Sequence, residues 1–134
     1  MVRPRRMRCG THRPSIHQVP GLPARPMAAV TALEHTTLRP GDVAAALAAW
    51  TQDVIPGTST QMLRTCSCGG CSWEIDPRGD LERILTSLPD WATPYLYGLV
   101  LPVDRRFVAR TTPDPLASPD WPWWRQRRRP YFGD

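Results

Sequence analysis

The stretch YLYGLVLPVDRRFVART, residues 95–111, decides the fold class of this chain. β-Branched and aromatic residues crowd both of its ends, and Pro102 stands between them. Its composition therefore predicts two strands, 95–101 and 106–111, joined through Pro102, Val103, Asp104 and Arg105, with Phe107 and Val108 supplying apolar cover.

Upstream, Val43, Leu47, Trp50 and Val54 recur at spacings of four, three and four, which predicts a helix over about 40–54. Alanines fill the positions between them, Asp42 complements the positive end of the helix, and Pro56-Gly57 stops it. TQMLRT, residues 60–65, and SWEID, residues 72–76, read as short strands on either side of a cysteine turn. Pro77-Arg78-Gly79 then reads as a turn, and Asp80 caps a second helix carrying Leu81, Ile84, Leu85 and Leu88 on one face until Pro89. The triplet Arg78-Gly79-Asp80 is assigned no function beyond that turn and cap. The expected fold is α+β: about two helices and three or four short strands with a Cys-rich knuckle, flanked by irregular basic, proline-rich tails.

Charge divides the chain in the same way. Of its 134 residues, 1–33 carry six Arg and no acid, 34–120 seven Arg against eleven acids, and 121–134 four Arg against Asp134. A basic, disordered tail over 1–33, a domain over 34–112 and a Pro/Trp/Arg-rich arm over 113–134 are expected. All 17 basic residues are Arg, and Asn is absent. A GC-rich genome, such as that of a bacterium, phage or plasmid, accounts for this, so position carries more weight than number. No apolar run reaches the roughly 18 residues of a membrane span. Prolines at 20, 23 and 26 interrupt any export signal, and Met27 offers an alternative start. A reducing cytoplasm is the expected location.

Cys66-Ser67-Cys68-Gly69-Gly70-Cys71 places three thiols within six residues. The CGGC spacing lets two sulfurs turn toward one ion, and residues 63–75 resemble one half of a zinc ribbon. No second CxxC follows, so a fourth ligand would come from Cys9, His12 or His35. A zinc ion held by these residues is the leading expectation, because a small centre with few large apolar side chains gains most from a metal. Unligated cysteines and a CxxC redox pair are the other readings.

The arm is the second signal. Trp121, Trp123, Trp124, Arg125, Arg127, Arg128 and Arg129 fall within nine residues. Guanidiniums pair with phosphates while indoles stack on unpaired bases, so the arm is read as a nucleic-acid contact. The alternative is docking onto a protein partner, a second copy, or the chain's own centre. A membrane surface is a weaker possibility, though the stretch is similar in composition to Trp/Arg-rich antimicrobial peptides of the cathelicidin class. No catalytic residues are assigned: His35 is the one candidate base near the centre, and Glu74 and Asp76 read as solvated-face charges. No small-molecule substrate is evident. The resulting expectation is a zinc-knuckle nucleic-acid-binding or regulatory accessory protein, with a protein-interaction module second.

Overall fold

The computed structural model describes residues 17–54 and 76–128. Among them stand four helices: α1 (Ala24–Thr36), α2 (Asp42–Asp53), α3 (Pro77–Ser87) and α4 (Thr93–Arg110). Two strands of two residues follow, β1 (Thr112–Pro113) and β2 (Arg127–Arg128), paired antiparallel with Thr112 opposite Arg128. A single 3₁₀ turn, Trp123–Gln126, leads into β2.

The α+β expectation is therefore corrected to a mostly helical domain, and residues 95–111 are where it fails. Leu96, Val100, Val103 and Phe107 lie at i, i+4, i+7 and i+11, and all four are buried. That helical period outweighs the strand propensity of the individual residues, because it lines one core-facing stripe. Pro102 sits inside α4 without ending it. Both Pro102 and Gly98, the residue whose carbonyl would have received the missing hydrogen bond, are exposed, where water can take that bond.

The two predicted helices stand as α2 and α3, with one change at the start of α3. Asp76, not Asp80, is its N-cap: the carboxylate accepts from the Gly79 amide at 3.0 Å, and Pro77 opens the first turn. Arg78-Gly79-Asp80 is thus helix, not turn. Of the strands expected at 60–65 and 72–76 and the cysteine turn between them, only Asp76 falls among the described residues, where it caps α3.

The tails are not irregular throughout. α1 begins at Ala24, with Pro26 in its first turn, and buries Val30 and Glu34. Glu34 accepts from the Val43 amide at 3.0 Å, so α1 satisfies one of the unpaired donors at the start of α2. The connection needs Gly41, which turns at φ 85° in a buried position. Residues ahead of α1 pack too: Val19 is buried and donates its amide to Sδ of Met27 at 3.4 Å, and Gly21, at φ 85°, lies against Leu99.

The core gathers Val30, Val43, Trp50, Leu81, Leu85, Leu96, Val100 and Phe107 from all four helices. α2 packs chiefly on α3, and α4 closes against α1, α2 and α3. Because Val19 and Pro26 belong to this packing, a chain beginning at Met27 should be less stable by roughly 1.5–3 kcal/mol, the contribution of one buried aliphatic side chain. A urea titration comparing the two lengths reads this as a lower midpoint.

Candidate functional site

Asp104 is the one acidic residue on the buried stripe of α4, one turn from Val100 and Phe107. Its Oδ1 accepts from Trp50 Nε1 at 2.9 Å and from Arg78 Nε at 2.9 Å, while Oδ2 accepts from Arg78 Nη2 at 3.0 Å. Arg78 is only 3% exposed. Its remaining nitrogen, Nη1, donates to Glu82 one helical turn on, at 3.0 Å. Burial alone would lower the Arg78 pKa, but the hydrogen bonds and charge of Asp104, with those of Glu82, outweigh it and hold the guanidinium above its ordinary value. The stability this gives is present at every pH below the ordinary arginine range and is lost only as pH rises through the raised value.

The C-terminal arm closes over this pair. Trp123 and Trp124 stack around the Arg78 guanidinium, with ring centroids 5.6 and 5.0 Å from its carbon. Trp123 also meets Phe107 edge-on at 6.0 Å, and Phe107 meets Trp50 at 4.8 Å, so one aromatic chain runs from α2 to the arm. Trp124 is buried and donates Nε1 to both oxygens of Asp76, at 3.1 and 3.3 Å. Arg125 pairs with the same carboxylate at 3.1 Å. Asp76 therefore joins the start of α3 to the arm. Gly79 makes room for it: a Cβ there would press into the Asp76 carboxylate.

Arg127 fixes the far end. Its Nε donates to Thr111 Oγ1 at 2.8 Å, and Nη2 donates to the carbonyls of Val108 and Thr111 at 3.2 and 2.9 Å, satisfying the carboxyl end of α4. Asp114 donates its amide to the Gln126 carbonyl at 2.8 Å beside the β1–β2 ladder.

These contacts sort the residues singled out in the sequence. Trp124, Arg125 and Arg127 are bonded to the chain's own centre. Trp121 and Trp123 stay 49% and 37% exposed, and Arg128 is exposed on β2. Arg129 lies outside the described residues. The metal reading is corrected. His35 is an exposed residue in the last turn of α1, and among the described residues no group of three His, Cys, Asp or Glu is placed to hold an ion. Cys9, His12, Cys66, Cys68 and Cys71 lie outside the described residues. With that, the zinc-knuckle nucleic-acid-binding function, zinc as cofactor and the metal-binding label give way to a helical domain with an aromatic and arginine surface. No helix of the described residues is long and apolar enough to cross a membrane.

Arg78, Asp104, Asp76 and Gly79 were not predicted as site residues. A signal for Asp104 existed: in the helical register it is the one charge among Val100, Val103 and Phe107, and a buried charge needs a cation. No family model, curated protein or solved structure matches this chain. The surface is accordingly read from its own geometry.

Removing one partner of the buried pair leaves the other charge uncompensated. Asp104→Ala should cost about 3–5 kcal/mol, seen as a large fall in the urea midpoint. Gly79→Ala should displace Asp76, costing about 1 kcal/mol for the lost cap and increasing the exposure of Trp124 to acrylamide quenching.

Proposed function

We propose that the protein is an interaction module that presents the aromatic and arginine face of its docked arm to a protein partner, in the cytoplasm. The observation that supports this is the contrast between neighbouring tryptophans. Trp124 is buried and anchored by Asp76, while Trp121 and Trp123, just ahead of it in the arm, are 49% and 37% exposed. An exposed indole on a segment held by a buried anchor has already lost much of its freedom before a partner arrives, so less ordering opposes binding. Large aromatic side chains in such positions, with arginine beside them, are the types that dominate binding at protein interfaces.

The arm serves as a platform, not as a free strand. Its buried half supplies folding energy, and its outer half supplies contact area. Leu116, between Pro115 and Pro119 in the same segment, is a further apolar side chain left 88% exposed. The two halves should separate by mutation. Trp124→Ala should lower stability by about 3–5 kcal/mol. Trp121→Ala should leave the urea midpoint within roughly 1 kcal/mol of the parent.

A photo-crosslinking residue placed at Trp121 or Trp123 in the producing cell should trap one discrete partner. The same residue at Tyr97, on the outer face of α4 near its start, should not. Equal trapping at both places, or none at either, would remove the arm from the role.

A further inference from the structure

Residues 114–126 of the arm close on themselves. Asp114 donates its amide to the Gln126 carbonyl at 2.8 Å, beside the β1–β2 ladder. Leu116 and Ala117 then turn on Asp114, their amides donating to its Oδ1 at 3.0 Å and its carbonyl at 3.1 Å. Asp120 and Trp121 turn on Ser118 in the same way, donating to its Oγ at 3.3 Å and its carbonyl at 3.1 Å. Pro115, Pro119 and Pro122 fix φ at three further positions. Each of these bonds stays within the loop.

Two successive turns leave the second free to swing against the anchored Trp124, unless something joins it to the base of the arm. Gln126, at the end of the 3₁₀ turn, makes that join. Its Nε2 donates to the Pro119 carbonyl at 3.3 Å and to the Trp121 carbonyl, while its own carbonyl holds Asp114. Both side-chain bonds lie at the surface, where water can replace them, so they contribute little to folding. Their effect is on order. The backbone of Trp121 is held on both sides, by Ser118 and by Gln126, yet among the described residues no hydrogen bond or ring contact holds its indole, which is 49% exposed.

We propose that Gln126 is the positioning residue of the partner site: it locks residues 119–121 so that the Trp121 indole is offered at a fixed place to an apolar pocket of the protein partner. One fixed indole, between Asp120 and Pro122, offers depth more than area, which suits a pocket. Without the Gln126 bonds the fold persists, but the Trp121 segment regains freedom that binding must then remove. This rests on the interaction-module reading above and names the group that the partner takes and the residue that aims it.

The test uses the full chain labelled with fluorotryptophan, in which fluorine NMR reports the six indoles separately and Trp121→Phe identifies the Trp121 resonance. Gln126→Glu keeps the length but turns a carboxylate on the two carbonyls, and Gln126→Ala removes the amide altogether. In both, the Trp121 resonance should sharpen and move toward that of the free amino acid. Those of Trp50 and Trp124 should stay in place, and the urea midpoint should remain within about 0.5 M of the parent. Gln52→Glu, the same chemical change at an exposed position of α2, should alter none of these. With a photo-crosslinker at Trp121 in the producing cell, capture of the partner should fall about fivefold in both Gln126 variants and hold at the parent level in Gln52→Glu. Undiminished capture in the Gln126 variants would overturn the proposal and leave the interaction module standing. A Trp121 resonance that does not move would do the same. A midpoint lowered beyond about 0.5 M would overturn it by making Gln126 a support of the fold. Absence of capture in the parent chain removes the interaction module and this proposal with it.

Discussion

Removing a guanidinium from water carries a penalty of several kcal/mol, which is met only when its donors are matched by nearby acceptors and charge. Arg78 in this protein meets that condition through α2, α3, α4 and the arm together. Asp104 supplies the counter-charge from α4, and Trp50 from α2 shares the same carboxylate oxygen. Glu82 takes the outer nitrogen from α3, and Trp123 and Trp124 cover the guanidinium from the arm. No one of these segments can leave without exposing or orphaning the others. This mutual dependence ties a short C-terminal segment, with strands only two residues long, to the helical body.

Asp76 extends the same logic to the edge of the site. One carboxylate caps α3, receives the Trp124 indole and pairs with Arg125. The order of the first turn of α3 and the docking of the arm are thus two expressions of one group. Gly79 is part of that arrangement because a side chain there would occupy the carboxylate's place. The consequence for function is a division of labour along the arm. Trp124, Arg125 and Arg127 spend their polar groups on the chain itself, while Trp121 and Arg128 are exposed and Trp123 packs on Arg78 and Phe107 with part of its ring in solvent. A partner meets a surface whose shape is set in advance.

The helices that the sequence disclosed are those whose apolar period is uninterrupted. Val43, Leu47, Trp50 and Val54 need no tertiary context to be recognised as one face, and neither do Leu81, Ile84, Leu85 and Leu88. α4 carries an equally regular stripe, but Pro102 and β-favouring residues compete with it, and only packing on three other helices resolves the competition. α1 was hidden for a different reason. Pro26 and the basic residues near it resemble a tail, whereas Pro26 occupies a helix's first turn, where its missing amide costs nothing. Of the candidate site, the density of Trp and Arg was legible, and the direction in which each side chain points was not.

Composition and spacing alone determined two amphipathic helices and a concentration of tryptophan and arginine over residues 121–129. These are local properties, set by periodicity over one or two turns and by residue identity. Only the tertiary structure decided that residues 95–111 form a helix, that Arg78 is buried against Asp104, and that the arm folds inward on Trp124 while displaying Trp121 and Trp123. Each of those outcomes depends on groups far apart in the chain: Asp104 lies 26 residues from Arg78 and 54 from Trp50. The free energy of burying a charge or an indole is set by what surrounds it, and those surroundings exist only once the chain has closed.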